Sequence, residues 1–427
     1  MSPSTTTRWA AVWIALAVVL LARATARDAT KGVLLDHLEF GRRLVRGEDV
    51  YAPWRSDPDA PPRPLHAPYP PSFGLLTAPF AGIAAAAGLP AARFCWALLQ
   101  IGCLALAALA LRACLGPRAP PPAQWHWLCM LAALLGSRFV LRDTHGGGGN
   151  IVNLGLALAA FAEAERRRFR MSGLWLGLSL ATKPTMVWLL PLLAVLGHVR
   201  AAVAAVAVAA ALAAVAAAFS GFDPAPWHRW VAGSLALATQ PDPFAAPALG
   251  FPEFEWMNQS LRLAVHRWIA TVPPDLAGRV RLGLIPGLGA SIEVATWTHR
   301  ALSLALLALL FARAWSGRAD PSLRPRALAA ALVLSVLLSP LSWKAHHVAL
   351  LPALLLLLLD AKKRPRIGIL LILWAIVCVP GRDLIGDDAE EWLNSVYAVT
   401  AWDLALFAAL LRPVRDSAAV ARRDPIG

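Results

Sequence analysis

The sequence predicts an all-α polytopic membrane protein: one bundle of about twelve transmembrane helices with a long first external loop. Three observations carry that expectation. The 427 residues are 58% hydrophobic and only 15% charged. Apolar runs of bilayer-spanning length, roughly 20 residues, recur from end to end. Arginine and lysine gather in short clusters between the runs, at Arg166–Arg170, Arg313–Arg326, Lys362–Arg366 and Arg412–Arg423, as the positive-inside tendency of cytoplasmic loops requires. A β-barrel would show short alternating segments instead. The formal charge of +14 therefore belongs to membrane topology. No extended basic face or nucleic-acid motif accompanies it, so nucleic acid is not an expected partner. Membrane lipids with anionic headgroups suit the clusters.

With the basic clusters placed in the cytoplasm, the elements fall into order. Trp9–Thr25, preceded by Arg8, reads as a retained signal anchor, although Ala24-Thr25-Ala26 has the small residues of a cleavage site. A polar external loop follows at about 26–71. Ser72–Gly88, bracketed by Pro79 and Pro90, reads as a re-entrant or juxtamembrane hairpin or equally as a true span. Ala91–Leu111, Trp125–Leu141 and Ile151–Glu163 are expected spans, the last ending at the Arg166–Arg170 cluster. Ser172–Ala181 and Pro184–Leu196 are two short pieces broken at Thr182-Lys183-Pro184, because proline removes a backbone donor and disfavours helix just before it. Broken helices at membrane depth line cavities. Ala201–Phe219 leads to a second external loop at about 220–295. Trp297–Trp315, Ala327–Leu338, Val348–Leu359, Ile367–Val379 and Val396–Leu411 complete the spans, and 412–427 is a cytoplasmic tail. No repeat or soluble segment divides residues 1–427, which form one integral-membrane domain. The acidic run Asp387-Asp388-Ala389-Glu390-Glu391 reads as a solvated external loop. The five cysteines lack metal-ligand spacing and read as small packing residues; no metal or other cofactor is expected.

The polar features sort to one side. Asp36, Glu39, Tyr69, His145, Asn150, Lys183, Asn258, Gln259, Trp343, His346 and His347 all map to external loops or external span ends. The cytoplasmic loops hold little beyond arginine and lysine. Asp36, at the mouth of an apolar bundle, is a candidate general base. Lys183 is the only lysine between Lys31 and Lys344, and a cation interrupting an apolar stretch faces a partner or a cavity; phosphate is the obvious anion. In Ser339-Pro340-Leu341-Ser342-Trp343-Lys344-Ala345-His346-His347 the adjacent histidines point about 100° apart on a helix, a poor pair for one metal and a better one for phosphate or a sugar hydroxyl. His145-Gly146-Gly147-Gly148-Gly149-Asn150 lacks the lysine and hydroxyl of a nucleotide P-loop and reads as a turn re-entering the membrane. Asn258-Gln259-Ser260 matches a glycosylation pattern but is read as a polar lid over the site. A site facing outward cannot draw on cytosolic activated sugars, so a lipid-linked donor is expected.

These motifs, in this order, resemble glycosyltransferase family 87, polyprenol-phosphate-mannose-dependent mannosyltransferases of the GT-C superfamily. Asp36 with Glu39-Phe40 and Gly47-Glu48-Asp49-Val50-Tyr51 is similar to the family's first external loop. Tyr69-Pro70-Pro71, Ala181-Thr182-Lys183-Pro184, Asn258-Gln259-Ser260-Leu261 with Arg267 close behind, and Ser339 through His347 match its later motifs. Where the family often shows Gly-Gln-x-Asn, this chain has a glycine run before Asn150. The resemblance implies a GT-C-type bundle in the cell membrane and a site on its external side. There a hexose, mannose in the family, passes from a polyprenyl-phosphate sugar donor to a glycolipid or glycan acceptor with inversion. Asp36 is then the base, with Glu39 one turn away in reserve. Lys183, His346 or His347, and Arg267 hold the donor phosphate, and Tyr69, His145, Asn150, Asn258, Gln259 and Trp343 line the substrate site. A transporter or flippase of a lipid-linked substrate would share the broken helix and the lysine. It would also show pseudo-symmetric halves, which the sequence lacks.

Overall fold

The computed structural model describes residues 3–26, 32–53, 69–245, 254–361 and 364–412. Parts of both expected external loops and nearly all of the expected C-terminal tail lie outside the described residues. Among the described residues there is no strand, only isolated bridges joining Asn258 to Trp343 and Ala270 to Ala290. The helices run α1 (Pro3–Thr25), α2 (Leu34–Val45), α3 (Phe73–Ala87), α4 (Leu89–Leu115), α5 (Pro122–Leu135), α6 (Ser137–Gly146), α7 (Asn150–Glu165), α8 (Phe169–Thr182), α9 (Leu189–Val195) and α10 (Val199–Phe219). They continue with α11 (Ala225–Thr239), α12 (Leu261–Ile269), α13 (Pro274–Ala277), α14 (Ile292–Ala319), α15 (Arg324–Leu337), α16 (Leu351–Ala361), α17 (Pro365–Cys378), α18 (Arg382–Ile385), α19 (Asp387–Ser395) and α20 (Ala398–Leu411).

The helical membrane class holds, but the expected count of about twelve spans is not reached by length and composition. Among the described residues five helices are long and apolar enough to cross a bilayer, or six if α19 and α20, bent by 53° at their junction, form one span. The difference has a physical reason. The expected span Trp125–Leu141 divides at Gly136 into α5 and α6. The 16 residues of α7 and the 14 each of α8 and α15 rise only about 24 Å and 21 Å, short of a hydrocarbon core of roughly 30 Å. Their apolar surface is spent inside the bundle. Ile151, Leu154 and Ala157 of α7 and every residue from Ala327 to Leu334 of α15 are fully enclosed, as expected of helices apolar on all sides. Segment 72–88, open between a hairpin and a span, forms one 15-residue helix carrying Pro79 inside it.

Helix α8 lies close along α10 because Gly173 and Gly177 fall one turn apart on the shared face. A Cβ on Gly173 would come within 2.3 Å of Ala204 Cβ, and one on Gly177 within 2.5 Å of Val208 Cβ. Small residues at that spacing let backbones approach in apolar surroundings. On the lipid-compatible outside, α14 carries Trp297 and Trp315, 60% and 62% exposed. Each lies under an arginine, Arg300 at 4.8 Å and Arg318 at 4.4 Å from the ring. The two tryptophans stand about 27 Å apart along the axis, close to the thickness of a hydrocarbon core, where aromatic and basic residues mark both interfaces.

The two ends of the bundle differ in chemistry. At one end Glu165, the last residue of α7, accepts from Arg324 at 3.0 Å and lies 3.0 Å from His198 Nε2, and Arg326 pairs with Asp360. Glu163 meets Arg166 and Arg168 there. At the other end α7 begins at Asn150 and α8 stops just before Lys183. The lysine and the basic cluster are thus separated by one helix length, about 21 Å for α8.

Candidate active site

The site is built where α8 ends. Pro184 forces Lys183 out of the helix into an extended conformation (φ −154°, ψ 102°), as residues before proline prefer. Asn153 secures the break, its Nδ2 donating to the Lys183 carbonyl at 3.0 Å and to Thr185 Oγ1 at 2.8 Å. Ser72, directly after Tyr69-Pro70-Pro71, donates to the Ala181 carbonyl at 2.5 Å and ties the start of α3 to the same point. The Lys183 side chain is only 4% exposed. Its ammonium donates to Asn150 Oδ1 at 2.5 Å and to His346 Nε2 at 2.9 Å, and stands 5.3 Å over the Tyr69 ring. An ammonium can only donate, so Nε2 accepts; Nδ1 lies 2.8 Å from the Leu341 carbonyl and 3.3 Å from the Trp343 amide, and the shorter contact matches a ring proton on Nδ1. His346 is therefore neutral and aimed.

Asn150 is oriented in turn by Asp143, a fully buried carboxylate that the sequence reading passed over. Asp143 Oδ1 accepts from Asn150 Nδ2 at 2.7 Å and Oδ2 from the Ile151 amide at 2.9 Å, capping the first turn of α7. This fixes which way the Asn150 amide points: nitrogen to the acid, oxygen to the ammonium. The glycine run now has a purpose. Gly147 adopts a left-handed conformation (φ 71°), and a Cβ on Gly148 would fall 2.0 Å from Asp143 Oδ1. The Gly148 carbonyl is held by Trp96 at 3.2 Å and Gln100 at 2.6 Å. We expect Gly148→Ala to displace the Asp143–Asn150 pair and lower transfer activity about tenfold or more, the scale of losing one buried charge-assisted hydrogen bond. Turnover of the purified variant beside wild type measures this.

Asp36 lies half-buried in the first turn of α2, and its charge is felt at Tyr69. Burial pushes the Tyr69 phenol up, and the charges of Asp143 and Asp36 add to it, so both acids stand within electrostatic reach of the ring beneath Lys183. His37, next to Asp36, sits among Tyr69, Phe73 and Trp96. Burial, with the field of Lys183, holds its imidazole down at about 3, hence neutral. Glu39 has a different employment. Its carboxylate accepts from Arg42 at 2.7 Å and from Arg43 Nε at 2.6 Å, and Arg43 continues to the Ala52 carbonyl at 2.5 Å. Burial pushes the Glu39 carboxyl up, but these guanidinium hydrogen bonds outweigh it and leave it below its usual value. A carboxylate so held is a poorer base and anchors the loop after α2.

Lys183 and His346 open onto a groove of about 270 Å³, and among the described residues Lys183 is the only charged one on its wall. The rest is largely apolar, with Val187, Trp188, Trp230, Leu237 and Leu338 prominent. The other expected site residues fall around it. His347 turns away, its Nε2 3.1 Å from Asp403 Oδ2 and both side chains fully buried. Asn258 clamps the turn bearing the histidines, accepting from the Ser342 amide at 2.8 Å and donating to the Pro340 carbonyl at 3.0 Å. Gln259 donates to the carbonyls of Trp256 and Asn394. Asn258 and Trp343 line a smaller cavity of about 40 Å³ that shares Leu237, Pro340 and Leu341 with the groove. His145 borders a separate small cavity beside Arg93. Arg267 donates to the Ser395 and Ile285 carbonyls and does not line the groove. No group of three or more His, Cys, Asp or Glu side chains able to hold a metal occurs among the described residues.

Fold and site together define a helical membrane protein in which a buried, pre-aimed cation faces an apolar groove. Residues 67–340 match the model of glycosyltransferase family 87, well over half of the chain. The chain belongs to that family and is a membrane glycosyltransferase. Tyr69, Asn150, Lys183 and Asn258 fall inside the matched segment; Asp36 precedes it and His346 follows it. No curated protein and no solved structure matches the chain.

Proposed function

We propose that the protein transfers a hexose, mannose in our reading, from a polyprenyl-phosphate-linked donor to a glycolipid or glycan acceptor at the external face of the cell membrane. The observation that carries this is the pairing of one desolvated ammonium with an otherwise apolar groove. An isoprenoid chain suits the apolar wall, and a single phosphodiester charge suits Lys183. Asp36 takes the proton of the acceptor hydroxyl as its oxygen bonds to the anomeric carbon. The bond from that carbon to the phosphate oxygen breaks, and polyprenyl phosphate leaves with its growing charge against Lys183. One displacement inverts the anomeric centre and needs only one carboxylate, unlike a glycosidase with its pair. His346, on the groove wall, aims the ammonium; His347, turned to Asp403, has no part in this. The external placement rests on the basic clusters at the far ends of α7 and α8.

The donor class is tested with the purified full chain in lipid nanodiscs and a membrane lipid extract as acceptor source. Polyprenyl-phosphomannose should support transfer with release of polyprenyl phosphate, while GDP-mannose should not. Transfer from the nucleotide sugar alone would overturn the lipid-donor reading.

A further inference from the structure

The segment that carries His346 is a 3₁₀ turn, Lys344–Leu350. With three residues per turn, residues three apart eclipse, so Lys344 and His347 share one face and His346 stands off it. Both residues of the shared face are gripped by acids from one bent helix. Glu390 of α19 accepts from Lys344 and also from Arg138 of α6. Asp403 of α20 meets His347, which stacks on Phe139 at 5.2 Å. The bend between α19 and α20 is itself held. Tyr397 there is fully buried with a left-handed backbone (φ 56°). Gln259 donates to the Asn394 carbonyl at 3.0 Å, Arg267 to Ser395 at 2.9 Å and Trp268 to Val396 at 3.0 Å. All of the bent helix lies beyond the segment matched to the family.

We infer that Glu390 and Asp403 are positioning residues for His346: by gripping Lys344 and His347, the bent helix turns the imidazole between them onto Lys183 and the groove. Gln259 and Arg267 serve the same end by fixing the bend. The acidic run that reads as a solvated loop thus contains one acid with a defined task. Glu390 is 17% exposed at its side chain and carries two cations, whereas Asp387 is exposed. Glu390 and Asp403, through Lys344 and His347, thus act on one ring.

The inference rests on the donor reading only for what the groove binds, and the test separates the two. Undecaprenyl phosphate is titrated into the full chain in nanodiscs, and histidine side-chain nitrogen NMR follows His346, its signal identified by loss in His346→Gln. We expect Glu390→Gln and Asp403→Asn each to weaken binding of the probe about ten- to a hundredfold and to shift the His346 signal. Asp387→Asn should do neither. Adding Glu390→Gln to Lys344→Met should cost nothing further, because the acid acts through the lysine. Should Asp403→Asn fail to fold, Asp403→Glu, which keeps the charge and moves it by one methylene, carries the comparison. An unmoved His346 signal in the acid variants overturns the inference, whether or not binding changes. Failure of wild type to bind the probe would overturn the donor reading instead, and the His346 signal would still decide the positioning.

Discussion

Asp36→Asn should abolish most of the transfer while leaving the protein folded and donor binding near wild type. The expected fall in kcat is about 10²–10⁴-fold, the usual contribution of a positioned general base. Asparagine keeps the size and half-buried setting of the side chain at the start of α2 but cannot accept a proton from the acceptor hydroxyl. Because the carboxylate is assigned to the acceptor, the donor KM should stay within a few-fold, and that split distinguishes lost chemistry from lost structure. Glu39 provides the contrast. Its carboxylate is held between two guanidiniums, so Glu39→Gln should loosen the loop after α2 and cost stability more than turnover. Near-wild-type kcat for Asp36→Asn would remove Asp36 from the mechanism.

The parts of this site that were legible in sequence are those whose chemistry is carried by one residue against its background. Lys183 stands out as a lone cation in an apolar stretch followed by proline, and the structure puts it on the groove wall. The break at Lys183-Pro184 was legible because proline dictates the conformation before it. The groups that act through a second residue were not. Asp143 is not on the wall of the Lys183 groove and works through Asn150; Asp403 works on His347. A signal did exist for Asp403, an acid in the middle of an expected span, since an ionisable residue at that depth needs a partner. Gln259 and Arg267 show the opposite error. Their types suit substrate, but Gln259 Nε2 and Arg267 Nε donate to backbone carbonyls of a bend that no local pattern announces. The helix count is not confirmed for a related reason. Apolar composition does not tell a helix facing lipid from one enclosed by other helices, so α7 and α15 read as spans while their sides are buried in protein.

Lys183→Met should lower kcat/KM about 10²–10³-fold, the scale of removing one preorganised group that meets developing charge. The argument for charge rather than packing comes from what the lysine leaves behind. Methionine fills much of the space of the stem, so the groove keeps its shape. Asn150 Oδ1 and His346 Nε2 each lose their donor, at a cost of about 1–3 kcal/mol per buried group. Removing an ammonium from a nearly closed site offsets part of that, because burying a cation was itself costly. Thermal stability should therefore change far less than activity. Lys183→Arg sharpens the test, since it keeps the charge but replaces a compact ammonium by a broad fork that cannot fit between Asn150 and His346 in the same way. It should recover donor binding in part without restoring turnover. If Lys183→Met instead stays within tenfold of wild type, the leaving phosphate is stabilised elsewhere, and the Asp143–Asn150–Lys183 chain is a device for closing the bundle over a buried charge.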